Sequence, residues 1–134
     1  MSVFINLYHS HLSASKSNGR WFARRIKMGE TDLSLLAERI QRNTTFKRGE
    51  VHGLLIELVE QMRESLLNGE TVVLDGVGRF HLSVRSNMVD RPADFRIDRD
   101  VKNVVCKFVP EGRRLDDGTL CYTLCEDAEV KLLE

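Results

Sequence analysis

The chain has 134 residues, 42% of them hydrophobic and 30% charged, with 20 basic and 20 acidic side chains. That composition fits one globular domain, or one small domain with extra segments at its ends, and excludes a disordered or membrane-spanning chain. No run approaches the roughly 18–20 consecutive apolar residues of a membrane helix, and the start, MSVFINLYHSHLS, lacks the basic flank and long apolar stretch of a signal peptide, so the expected location is the cytoplasm.

In chain order, Val3, Ile5 and Leu7 alternate with Phe4 and Asn6 and read as a short strand. The polar link SASKSNG follows, then a second strand over Arg20–Lys27, broken at Met28-Gly29-Glu30. Together they predict a β-hairpin over residues 1–30, ahead of the main body. Thr31 offers an N-cap hydroxyl, and Asp32 suits the positive end of a helix. Leu33, Leu36, Ala37 and Ile40 then fall at i, i+3, i+4 and i+7, one apolar face of a helix about three turns long.

A second helix starts near 45–47, with Glu50 in its first turn. Val51, Leu54, Leu55, Leu58, Met62 and Leu66 form its apolar stripe, and Ile56, Val59 and Leu67 widen it. A helix so broadly apolar is covered on more than one side, and in a small chain the second cover is expected to be another subunit. Asn68-Gly69 stops it, since glycine takes the left-handed cap conformation without a Cβ clash. Thr71–Leu74 and Arg79–Arg85 read as strands joined by a turn holding Gly76 and Gly78, with Phe80, Leu82 and Val84 facing inward. Residues 86–100 are polar, with charges of both signs around Pro92 and Phe95. Val101–Val109 is a third strand, closed by Pro110-Glu111-Gly112-Arg113-Arg114. Residues 115–134 form an acidic tail with a weaker alternating segment at Leu120, Tyr122 and Leu124.

The run Asn68-Gly69-Glu70-Thr71-Val72-Val73-Leu74-Asp75-Gly76-Val77-Gly78-Arg79-Phe80 resembles the signature of the HU and integration-host-factor family of bacterial histone-like proteins. In that family a long helix ends at Gly-Glu, a short strand follows, and then Gly-Phe-Gly-x-Phe; here Val77 replaces the usual phenylalanine. Phe108-Val109-Pro110-Glu111-Gly112 is similar to the Phe-x-Pro-Gly close of its last strand, with one residue inserted. The leading hairpin with Trp21-Phe22-Ala23-Arg24 looks like the longer, HU-related branch. The match covers about residues 31–114.

The resemblance implies an α+β fold: an HU-like dimer of helical hairpins, each carrying a three-stranded antiparallel sheet with a β-arm at about 86–100. It implies an architectural DNA-binding homodimer of low sequence specificity in the bacterial nucleoid, holding double-stranded DNA by backbone phosphate contacts while arm tips unstack a base step. The implied DNA-binding residues are Lys47, Arg48, Arg79, Arg85, Arg91, Arg96, Arg99, Lys102, Arg113 and Arg114, with Pro92 as the wedge candidate. The arm departs from the family, because an Arg-Asn-Pro-x-Thr-Gly tip is absent and Asp90, Asp94, Asp98 and Asp100 interleave with the arginines.

Zero net charge gives DNA binding no support by itself, but the charge is uneven. Residues 1–30 carry five basic and one acidic side chain, 31–70 five and seven, 71–116 nine and seven, and 117–134 one and five. A second function therefore stays open, an HU-fold structural or protein-interaction module with weak or no DNA binding. Gly76 and Gly78 either permit the hairpin turn or let a phosphate approach the backbone. The ribbon arginines either track phosphates or are solvated charges, and Lys47 and Arg48 either position a phosphate or begin an exposed helix. Trp21 and Phe22 either pack the hairpin onto the core or serve nucleic-acid binding among Arg20, Arg24, Arg25 and Lys27.

Three cysteines, an odd number, suit a reducing compartment. Cys121 and Cys125 lack a second pair in a zinc spacing, and His9 and His11 lack nameable partners, so no metal is expected. No Walker loop, HExxH or Ser-His-Asp order is present, and Glu57, Glu60 and Glu64 read as a solvated helix stripe. Neither catalysis, a cofactor nor a small-molecule substrate is expected.

Overall fold

The computed structural model describes residues 1–14, 16 and 18–133; Ser15 and Ser17 of the predicted polar link, and Glu134, lie outside the described residues. The chain divides into two units, 1–31 with 125–134, and 32–124.

In the larger unit, helix α1 spans Leu33–Arg42. Its N-cap is Asp32, whose Oδ1 accepts from the Leu35 amide at 2.9 Å. Thr31, expected in that role, lies one residue too early, because the helix begins at Leu33 and the Asp32 carboxylate takes the N3 amide. Helix α2 spans Arg48–Leu67, and the Lys47 amide donates to Glu50 Oε2 at 2.9 Å, fixing the first turn. Its end is a Schellman motif: Gly69 stands at φ +81°, its amide donates to Leu66 O, and the Glu70 amide donates to Ser65 O, both at 3.0 Å.

Strands β3 (Val72–Leu74) and β4 (Gly78–Ser86) form a hairpin, and β5 (Val101–Pro110) pairs antiparallel on the other side of β4. The turn closes with the Val77 amide donating to Leu74 O at 3.0 Å, and Gly76, its second central residue, has φ +82°, as a type II turn requires. The register sets Phe80 opposite Phe108, Leu82 opposite Cys106 and Val84 opposite Val104, giving the inner face, with the two phenylalanine centroids 4.8 Å apart. Val59, Met62, Leu66 and Leu67 of α2 meet Phe80, Leu82 and Cys106 along an apolar groove of about 300 Å³.

The expected β-arm is absent. β4 and β5 stop at Ser86 and Val101, and residues 87–100 fold on themselves through a 3-10 turn (Pro92–Asp94) and one α-helical turn (Ile97–Asp100). Beyond β5, β6 (Gly112–Arg114) pairs antiparallel with β7 (Leu120–Tyr122).

In the smaller unit, β1 (Ser2–His9) pairs antiparallel with β2 (Trp21–Arg25), the hairpin expected from alternation. On its other edge β1 pairs in parallel with β8 (Glu129–Leu132), from the far end of the sequence. No helix among the described residues is long and apolar enough to cross a membrane.

Candidate nucleic-acid interface

Side chains alternate across a sheet, so the β3–β4–β5 register that turns Phe80 and Leu82 toward α2 also determines what its other face carries. Val73, Arg79 and Val109 lie in one row, His81 faces Lys107, Ser83 faces Val105, and Arg85 faces Asn103. No carboxylate stands among these positions. Arg79, Arg85 and Lys107 are exposed and enter no ion pair among the described residues. Their cations therefore keep their full attraction for an external polyanion. Arg79 and Arg85 lie on the strand expected over Arg79–Arg85, facing away from Phe80, Leu82 and Val84. His81 and Lys107 were missed, although the alternation that put Val104, Cys106 and Phe108 inside already placed Lys107 outside.

The loop between β4 and β5 behaves differently. Arg91 pairs with Asp94 (Nε–Oδ2 3.1 Å, Nη2–Oδ1 3.4 Å), and Arg96 with Asp98 (3.2 and 2.7 Å). Arg99 reaches Asp100 at 3.0 and 2.9 Å and the carbonyl of Asp94 at 2.7 Å. Asp100 is 3% exposed and also accepts from the Arg96 amide at 2.8 Å. The Arg99 hydrogen bonds first, and the Arg96 amide second, hold its carboxyl down at about 2. Each expected arm cation is thus paired with a carboxylate of its own loop. Pro92 opens the 3-10 turn, where its missing N–H is harmless, and does not stand at a ribbon tip. The physical reason for the lost arm is the alternation of Asp and Arg three or fewer residues apart, which satisfies charge locally.

The remaining expected residues are dispersed. Lys102 is the extra residue of a bulge, since Arg85 faces Asn103 and Ser86 faces Val101. Arg113 and Arg114 lie on β6, with Arg114 donating to Gly118 O at 3.4 Å. Lys47 and Arg48 flank the start of α2, where Glu50 already takes one free amide. Gly76 and Gly78 serve the turn and the packing. A Cβ on Gly78 would fall inside contact distance of Val109 O, 2.7 Å from Phe108 Cε2 and 3.0 Å from Pro110 Cα. Among the described residues no group of three or more His, Cys, Asp or Glu side chains could hold a metal ion.

Residues 1–117 match the family described as HU domain fused to wHTH, Ig, or Glycine-rich motif, termed HU-HIG. The chain belongs to the HU-HIG family. The match includes the N-terminal hairpin as well as the helices and the three-stranded sheet, so the extension ahead of α1 is part of the HU-HIG pattern. The fold is similar to the crystal structure of a Bacteroides vulgatus protein provisionally assigned to DNA binding, with a TM-score of 0.61 and 19% identity over 99% of this chain. This HU-HIG chain spans about half (49%) of that protein's length. No curated protein matches it in sequence.

Proposed function

We propose that the chain is an architectural DNA-binding protein of the bacterial nucleoid, gripping double-stranded DNA with little sequence preference, as a homodimer. The observation that carries this reading is the outer face of the β3–β4–β5 sheet, where Arg79, Arg85, His81 and Lys107 stand in cross-strand rows that hold no carboxylate, with Asp75 and Glu111 bordering only the Arg79 end. Membership of a family built on an HU domain supports it. Recognition by such a surface is chiefly electrostatic: cations displace counterions condensed on the phosphates, and groove edges need not be read.

Dimerisation is supported by how little the chain buries. Ala37 and Val51 are the only buried apolar side chains among the described residues, while Leu54 and Leu67 of α2 remain 62% and 63% exposed. Two separately folded bodies of these sizes would expose roughly 8,500 Å², against 11488 Å² here. The excess is on the scale of an obligate interface, and Leu54, Ile56, Leu58, Val59 and Leu67 of α2 are among the exposed apolar side chains that contribute to it.

The test is fluorescence anisotropy on a labelled duplex of about thirty base pairs. Arg79→Ala with Lys107→Ala is expected to weaken binding at least about tenfold, whereas Arg91→Ala with Arg96→Ala changes it little because those cations are already paired. Equal losses in both variants, or no duplex binding at low salt, would contradict the reading. The alternative, an HU-fold interaction module without DNA affinity, is favoured by one observation, the self-neutralised loop at 87–100. It predicts the second of those contrary outcomes.

A further inference from the structure

The smaller unit carries a second cluster with binding chemistry. Its register puts Tyr8 opposite Phe22 and Asn6 opposite Arg24 on one face of the β2–β1–β8 sheet. The two rings lie 6.3 Å apart, and the Arg24 guanidinium sits over both, 5.0 Å from the Phe22 centroid and 5.7 Å from that of Tyr8. Tyr8 is 44% exposed and Phe22 38%.

Phe4, half-buried, shares the Tyr8–Phe22 face, while Val3, Ile5, Leu7, Trp21, Val130 and Leu132 stand on the opposite face of the same sheet. Charge on the aromatic side is cationic. Lys131 stands opposite Phe4, and Arg20, just ahead of β2, has no ion pair among the described residues. The carboxylate on this face, Glu129, faces Ser2 at the other end of β1, six residues and about 20 Å from Tyr8.

Flat π surfaces beside a guanidinium plane, with cations and no adjacent carboxylate, suit a ligand that is itself both flat and anionic. Unpaired nucleotides have that character: bases stack on aromatic rings and on arginine planes, and their phosphates meet the cations. Bases inside a duplex are already stacked and offer no free face. We propose that Tyr8, Phe22 and Arg24 form a stacking platform for single-stranded DNA, distinct from the duplex-binding face of the larger unit.

The full chain is titrated into fluorescein-labelled oligo-dT of about fifteen nucleotides, and separately into duplex DNA. Tyr8→Leu with Phe22→Leu keeps apolar bulk but removes the π faces, and Arg24→Lys keeps charge but removes the plane. The double variant is expected to weaken oligo-dT binding by about tenfold or more, and Arg24→Lys by severalfold, with duplex affinity unchanged. Arg79→Ala with Lys107→Ala should leave oligo-dT binding intact. If the double variant misfolds by circular dichroism, Arg24→Lys decides alone. The inference is overturned if the wild type does not retain oligo-dT, if the folded aromatic and Arg24 variants bind it as the wild type does, or if binding is lost instead with Arg79 and Lys107. Loss of duplex binding alone would fell the duplex reading and leave this one standing.

Discussion

Replacing Gly78 with alanine should disturb the larger unit more than any comparable change in the same turn. Gly78 begins β4 at φ +152° and pairs with Pro110 across the sheet. An added methyl would meet Val109 O inside contact distance, Phe108 Cε2 at 2.7 Å and Pro110 Cα at 3.0 Å. Two of those atoms are backbone and cannot rotate away, so β5 itself has to move. Overpacking of this kind costs about 1–3 kcal/mol, and the backbone conformation adds a further ~1–3 kcal/mol for a residue with a Cβ. Gly76→Ala is the control. Its φ is +82°, but nothing lies within 4 Å of its would-be Cβ, leaving only the left-handed penalty of about 1–2 kcal/mol.

Urea unfolding at equal protomer concentration, followed by circular dichroism, gives both values from the shift in midpoint at constant slope. Adding Phe108→Leu should not rescue Gly78→Ala, because the carbonyl clash persists. A Gly78→Ala variant no less stable than Gly76→Ala would refute the close-approach argument.

Other outcomes follow from the same geometry. Val59→Glu places a carboxylate in the apolar groove beside Phe80; sedimentation velocity should show a dimeric wild type and a monomeric or unfolded variant, and a folded wild-type monomer would oppose the dimer. Asp100 has a lowered pKa when folded, so its contribution to loop order is present above the ordinary carboxylate value of 3.8 and is lost as pH falls through about 2. The Arg96 amide resonance, whose proton goes to Asp100, should therefore titrate near 2, and a midpoint near 4 would contradict the pairing.

Much of this fold was legible because local chemistry is written locally. Helix periodicity, Glu50 in the first turn, and Gly69 and Gly76 at positive φ each declare themselves within a few residues. The cap was misplaced by one residue, since Thr31 was expected there and the Asp32 carboxylate is what reaches the Leu35 amide. The loop at 87–100 was harder. Its alternating Asp and Arg were visible as charges offsetting phosphate contacts, but not as a set of internal pairs that folds the arm closed. The parallel pairing of β8 with β1 joins residues 127 positions apart and has no signal in either segment. For the site, Arg79 and Arg85 could be read from β4 alone, whereas the pairing of His81 with Lys107 needed the cross-strand register.

The most direct test of the central claim is the salt dependence of duplex affinity, measured for the wild type and for Arg79→Ala with Lys107→Ala. Each phosphate contact contributes about 0.9 to the slope of log K against log salt. A dimer that loses two cations per protomer should therefore show a slope shallower by about 3.6, with the wild type steep and the Arg91→Ala, Arg96→Ala protein matching it. A wild-type slope near zero, or one that flattens with the arm variant and not with the sheet variant, would contradict binding through the outer face of the sheet.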